Sequence, residues 1–320
     1  MQHYHNFIGI DIGKFSFVVA VNEQQETQEF ENNSAGIAEF IMKYKEILCG
    51  SLCVVETTGG YELSLAYTLI AQNVAVHRAD TRKVKNFIRS FGNKAKTDRL
   101  DAKALAKYGA ERVQSLDLFK LRSPKSLELF QLTQRQADLT QMLVAEKNRQ
   151  QAPSISKLVQ ETCQQLIECL SKQLKEIKQK IQEFINSDPT LSAMQGILKT
   201  IPGIGEKVSA DLLVLLPELG TMNRRQIASL CGLAPLSNDS GRLHGYRRTY
   251  HGRGGVKPTL FMAAMAARQS KSHFGEFYDK LIGRGKKKMV ALVAVMRKII
   301  VTANAKIRDF LNPKPVEGKA

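Results

Sequence analysis

F-I-G-I-D-I-G-K-F-S-F-V-V-A-V, residues 7–21, decides how the first third of this chain folds. It holds two apolar runs, 7–11 and 15–21, separated by a short break. The second is rich in Val and Phe. Runs of that length and composition read as strands, and so short a connection makes them antiparallel neighbours. The first ends in an acid, Asp11. Working outward, residues 27–31 supply a third strand and turn the pair into a meander. A helix is predicted from Ser34, with Ser34 as its N-cap. Residues 52–55 read as a fourth strand, which again runs into an acid, Glu56. Thr57-Thr58-Gly59-Gly60 breaks the chain. Residues 61–71 then read as a helix and residues 74–77 as a fifth strand.

Three hairpin-like strands followed by helix, strand, helix, strand is the order of an RNase H-like α/β sheet. The character changes at residues 123–186, which are rich in Gln and Lys and lack glycine. Leu166, Leu170, Leu174, Ile177, Ile181 and Phe184 step by about 3.5 residues, the period of a heptad seam. Leu127, Phe130, Ala137 and Leu143 form a weaker apolar face upstream, and Ala152-Pro153-Ser154 marks the break between two long helices. From residue 192 the chain is mostly helical, with a last amphipathic helix at 290–310. The expected organisation is an α/β domain at 1–122, a helical coiled-coil hairpin at 123–190, an all-α domain at 191–311 and a disordered tail at 312–320.

Composition narrows the partner. The chain has 320 residues, with 47 Lys and Arg against 30 Asp and Glu, a net charge of +17. An excess of that size favours polyanions through phosphate neutralisation. No stretch approaches the roughly 18 apolar residues of a membrane span. The N-terminus lacks the basic and apolar regions of a signal peptide. Nucleic acid is the expected partner, no membrane is, and the cytoplasm or nucleoid is the expected address. The five cysteines make no C-x-x-C pair and the histidines complete no zinc spacing, so all five are expected as reduced packing residues.

The acids carry the chemistry. Asp11 and Glu56 end strands expected to be neighbours, so they can meet at one edge of the sheet. K-T-D-R-L-D-A-K, residues 96–103, adds Asp98 and Asp101, three apart and on one helical face. Mg²⁺ (or Mn²⁺) takes carboxylate oxygens, and several acids can hold the ion pair used at a phosphodiester. A plainer reading makes Asp98 a helix N-cap with Asp101 as its capping partner.

Two further segments point to nucleic acid. L-K-T-I-P-G-I-G-E-K-V-S-A-D-L, residues 198–212, resembles a helix-hairpin-helix motif, in which Gly203 and Gly205 let the backbone approach a phosphate and Lys207 adds charge. Between residues 240 and 257 lie Arg242, Arg247, Arg248, Arg253 and Lys257, with five glycines and no acid. This reads as a flexible basic loop suited to a phosphodiester. Ser240 stands at its head. Lys286, Lys287 and Lys288 form a third basic cluster.

Taken in order, residues 11–21, 54–61, 96–106, 201–205 and C-G-L-A-P-L-S-N-D-S-G-R at 231–242 resemble transposases of the insertion sequence 110 family, over residues 6–310. The resemblance implies a RuvC-like domain with a DEDD metal set at Asp11, Glu56, Asp98 and Asp101, and a C-terminal domain whose serine falls on Ser240, with Ser237 three residues away. It implies that this serine attacks DNA to form a phosphoserine link, in a site composed from both domains. It further implies donor and target double-stranded DNA as substrates, a noncoding bridge RNA as guide, and a homo-oligomer, dimeric or tetrameric on DNA. Related pilin-gene invertases share the carboxylates, so inversion fits the same motifs. A RuvC-type junction nuclease would use the acids with water and no serine. I-G-I-D-I-G-K also resembles the phosphate loop of sugar kinases, but the basic helical half supplies no second such loop. A non-catalytic architectural binder would need only the charge and the hairpin.

Overall fold

The computed structural model describes residues 3–90, 97–121, 123–241 and 243–313, and the chain divides into two compact units, 1–122 and 123–320. Arg242 and most of the expected tail, residues 314–320, lie outside the described residues.

In the first unit the order is β1 (Asn6–Ile12), β2 (Ser16–Val21), β3 (Thr27–Glu31), α1 (Ser34–Lys43), α2 (Lys45–Leu48), β4 (Ser51–Glu56), α3 (Leu63–Ala71), β5 (Ala75–Ala79), α4 (Thr81–Ser90) and α5 (Asp98–Arg112). The strands form one sheet in the order β3-β2-β1-β4-β5. β1, β2 and β3 are antiparallel neighbours, whereas β4 runs parallel to both β1 and β5. The sequence does not announce α4, whose face is strongly basic. Helix α1 is capped by Asn33, not by Ser34. The Asn33 Oδ1 accepts from Gly36 N at 2.9 Å, which makes Ser34 the first helical residue.

Strand alternation sorts β1 onto two faces. Ile8, Ile10 and Ile12 pack with Phe17, Val19, Phe40 and Leu65 under α1 and α3. Phe7, Gly9 and Asp11 take the other face, where Leu52, Val54, Leu105 and Tyr108 form a second core under α4 and α5. Gly9 has a specific task there. A Cβ at Gly9 would stand 2.0 Å from the Ala102 carbonyl oxygen and 2.2 Å from the Ala106 nitrogen, so α5 lies with its backbone directly on β1. Gly109, nearer the far end of α5, faces Phe7 and Val54. Helix α5 therefore runs antiparallel to β1 and brings its first turn to the end of the strand that bears Asp11.

The second unit contains α6 (Pro124–Gln150), α7 (Lys157–Asn186), α8 (Pro189–Lys199), α9 (Glu206–Leu215) and α10 (Arg224–Leu230), then β6 (Pro235–Leu236), β7 (Asp239–Ser240), β8 (Leu243–His244) and β9 (Arg248–Thr249), and finally α11 (Val256–Gln269), α12 (His273–Gly283) and α13 (Lys288–Leu311). Helices α6 and α7 form the long hairpin, but its seam is shifted. On α7 the buried positions are Cys163, Ile167, Leu170, Leu174, Ile181 and Ile185, while Leu166 is exposed. On α6 they are Leu129, Thr133, Gln136 and Leu139, and Ala137 faces solvent. Two polar residues in that seam explain why an apolar pattern finds it poorly. At its root the hairpin packs Leu129, Ile181 and Ile185 against Ala210 and Val214 of α9. The remaining helices share a core of Leu198, Leu212, Leu260, Phe274, Val295 and Ile299.

The cysteines are not all packing residues. Cys53, Cys163 and Cys231 are buried, but Cys49 and Cys169 are exposed, and none is bonded to another. Burial pushes the Cys53 thiol up to about 12, and burial, opposed by Arg253 and aided by Glu218, does the same for Cys231. Alkylation of the native protein with iodoacetamide near neutral pH should therefore label Cys49 and Cys169 quickly and the other three only on unfolding. Mass spectrometry of the peptides reads this directly. Rapid native labelling of Cys53 would contradict the burial described.

Candidate nucleic-acid-processing site

The acids occupy one edge of the first unit. β1 pairs with β4 from Asn6↔Ser51 to Ile10↔Val55, and the next step in that register sets Asp11 beside Glu56. Both are half-buried and both lie on the face that α5 crosses. Asp98 and Asp101 stand in the first turn of α5, Asp98 exposed and Asp101 half-buried. The N-cap of α5 is Thr97, whose Oγ1 accepts from Leu100 N at 3.3 Å. Asp98 is thus not the cap. Among the described residues, no three His, Cys, Asp or Glu side chains are grouped closely enough to hold a metal ion. The fold brings the four acids to one edge without closing them into a coordination shell.

The chain leaving Glu56 is held by a residue that motif reading overlooks. Glu62 is fully buried. Its carboxylate accepts from Gly60 N at 3.0 Å and from Thr58 N and Thr58 Oγ1 at 3.3 Å, and it pairs with Arg78 of β5. The turn it fills needs Gly59 and Gly60 at φ +75° and +112°. Thr57 donates through both N and Oγ1 to the Ala79 carbonyl. Arg78 in turn lies over the Phe119 ring at 4.8 Å, and Phe119 stacks on Tyr67. Burial alone would raise the Glu62 carboxyl, but backbone hydrogen bonds and the Arg78 charge outweigh it and hold it below the ordinary carboxylate range. A carboxyl depressed in this way stabilises the fold above its unfolded-state pKa, and that contribution is lost as pH falls through its folded value. Glu62→Ala should destabilise the protein by about 3 kcal/mol, the low end for a broken buried pair because Arg78 is partly exposed. Urea denaturation at neutral pH measures it. The deficit should shrink in acid, and a loss under about 0.5 kcal/mol would show the pair to be dispensable.

In the second unit, Ser240 is exposed in a small antiparallel pair in which it faces Leu243 and Asp239 faces His244. Gly241, just after it, has φ +55°. The Ser240 hydroxyl has no hydrogen-bond partner among the described residues, and Ser237 is also exposed. The region is less free than a flexible loop. β6 pairs with β9, and the loop's neck is fastened where Gly232 and Gly252 touch. A Cβ on Gly252 would meet Gly232 N at 2.2 Å, one on Gly232 would meet Gly252 N at 2.5 Å, and Arg253 N donates to Leu230 O.

The basic residues differ in freedom. Arg253 is held by Glu218 through two contacts, of 2.5 and 2.6 Å, and by the Leu215 carbonyl. Lys257 donates to the Tyr250 carbonyl at 3.1 Å, and Arg247 stands 3.7 Å from Asp239. Arg248, Lys286, Lys287 and Lys288 are exposed. Lys207 pairs with Asp211 at 2.8 Å. In the glycine turn between α8 and α9, Gly203 has φ +91° and is packed against α11, where a Cβ would stand 2.2 Å from the Ala263 carbonyl oxygen. Gly205 is the exposed N-cap of α9.

Comparison with known proteins identifies the family. Residues 8–153 match the family model of the IS110 DEDD domain, described as Transposase, and residues 195–279 match that described as Transposase IS116/IS110/IS902 family. The Pilin gene-inverting protein of Moraxella bovis is 30% identical over 313 residues, covering 95% of this chain and 96% of that protein. That of Moraxella lacunata is 29% identical over 312 residues, with the same coverage. The IS110 uncharacterized 43.6 kDa protein of Streptomyces coelicolor is 29% identical over 135 residues, 41% of this chain and 33% of its own length. Among the described residues no helix is long and apolar enough to cross a membrane. The chain belongs to the IS110 family of transposases, and it is a DNA recombinase.

Proposed function

We propose that the chain cuts and rejoins DNA through a phosphoserine at Ser240, with Asp11, Glu56, Asp98 and Asp101 holding divalent metal at the same phosphate. The observation that carries this reading is the meeting of β1, β4 and the first turn of α5 at one edge of the sheet. The strand order supports an RNase H-like, RuvC-like domain. The donor set is all oxygen, which suits Mg²⁺ or Mn²⁺. Such an ion, when bound, supplies positive charge for the oxygens of the phosphate under attack.

The Ser240 Oγ forms the new bond to phosphorus, and its proton leaves to solvent or base. The bond from phosphorus to one deoxyribose oxygen breaks, and that oxygen takes up a proton as a free hydroxyl. Attack by another strand's hydroxyl reverses these changes, so the phosphodiester energy is kept and no nucleotide cofactor is needed. Arg248 and the Lys286–288 run provide exposed charge for DNA. The α8–α9 turn supports a helix-hairpin-helix reading, with Gly205 on its open side. Met142, Val144, Leu158 and Leu166 leave apolar surface exposed toward the connected ends of α6 and α7, which favours pairing with a second copy. A bridge RNA as guide rests on the family alone. Full-length likeness to two invertases favours inversion as the second reading.

Substituting Asp11→Asn or Glu56→Gln, with recombination of a two-site plasmid as the readout, tests the metal site. Each should lower the rate by at least about tenfold to a hundredfold, the loss typical even for residues that only orient a metal ligand, while DNA binding persists. Wild-type rates in both variants would remove the carboxylates from the mechanism.

A further inference from the structure

A cavity of about 430 Å³ opens in the second unit beside the Ser240 loop. Leu233, Val293 and Ala294 give it an apolar lining, while Tyr246, Arg248 and Arg297 add an aromatic ring and two guanidinium groups. Arg247 also lines it, and among the described residues no carboxylate does. Tyr246 is 67% exposed, so its ring is accessible from solvent at this opening. A second basic surface adjoins the same opening. Met289 and Val290 line it, and Lys286, Lys287 and Lys288 immediately precede them. These lysines crowd the N-terminus of a 24-residue helix with no acid in its first turn, where the helix dipole disfavours cations. Positive charge kept there on both sides of an apolar hollow suits an anion with a flat apolar part.

Nucleic acid has that chemistry, and only an unstacked base can enter such a hollow. Duplex bases are sealed in the stack, whereas single strands offer free faces to aromatic rings and arginine planes. We propose that this cavity receives one unpaired nucleotide, its base against Tyr246 and the apolar wall, its flanking phosphates toward Arg247, Arg248 and the lysine run. The site needs only that the chain acts on nucleic acid, and its test does not depend on the serine chemistry.

Short single-stranded DNA and RNA oligonucleotides, each carrying one 2-aminopurine, and a blunt duplex of the same sequence provide the probes. Binding to full-length Ser240→Ala protein should quench the single-stranded probe. Adding Tyr246→Ala should abolish the quench and weaken single-strand binding by about 5- to 150-fold, the range for one lost base–aromatic stack. Duplex affinity should not change, and Tyr246→Phe should restore the single-strand values. A response confined to DNA, or to RNA, supports the site and identifies the strand it serves. Unchanged single-strand binding in Tyr246→Ala, or equal losses on single strand and duplex, would overturn it. Because Tyr246 is exposed, its removal does not threaten the fold.

Discussion

Ser240→Ala should abolish recombination and the covalent protein–DNA adduct while leaving DNA binding intact. The expected loss is at least about a thousandfold, as for other enzymes stripped of their nucleophile. The side chain is exposed in a two-stranded pair, followed by a left-handed glycine, and its removal disturbs no described hydrogen bond. Alanine therefore deletes the oxygen proposed to react and little else. Denaturing gels of protein incubated with labelled donor DNA would show the adduct in wild type and none in the variant. Ser237→Ala, three residues upstream and also exposed, should keep both activities. An alanine variant at 240 that recombines normally would return the carboxylates to a hydrolytic role with water as nucleophile.

Gly9→Ala should be the most damaging small substitution in the first unit. Its new methyl group would fall 2.0 Å from the Ala102 carbonyl oxygen, and backbone on both sides leaves nothing flexible to move. Overpacking a core usually costs about 1–3 kcal/mol, and a clash with a helix backbone belongs at or above the top of that range. The chemical effect should be larger still. Relief requires α5 to slide or lift, and α5 carries Asp98 and Asp101 in the turn that lies toward the Asp11 end of β1. Recombination should fall even at temperatures where the variant stays folded. Gly196→Ala is the control, since that glycine lies within α8 with nothing near its missing Cβ. It should be neutral or stabilising by up to about 1 kcal/mol. Thermal melts run beside activity assays separate the two effects, and equal behaviour of the two variants would show that α5 does not bear on β1 as described.

Strands β1, β2 and β4 were legible because each is a short apolar run rich in Ile, Val or Phe and bounded by polar breaks, and the acids at the ends of β1 and β4 could be read with them. What escaped depends on contacts between distant residues. Glu62 looks like an ordinary acid at the start of a helix, and only Arg78, 16 residues away, reveals it as the centre of a turn. The cap of α1 fell one residue before Ser34, the side chain chosen from sequence, and that of α5 one before Asp98, which the plainer reading had made the cap, because Asn33 and Thr97 are as able to accept as their neighbours. The seam of α6 was obscured by Thr133 and Gln136, which bury polar groups where the pattern looks for leucine. Arg253 shows the converse. It reads as one more cation of a DNA-binding loop, yet its guanidinium is held by Glu218.

The glycine contact at positions 232 and 252 has a consequence for how the serine-bearing segment can change. With both ends fixed at one point, ordering that segment is a problem of closing a ring whose anchor is already made by the rest of the unit. The entropy of such closure grows slowly, by about 0.6 kcal/mol for each doubling of length. Residues could be inserted or exchanged between the two glycines while the helices behind them keep their packing.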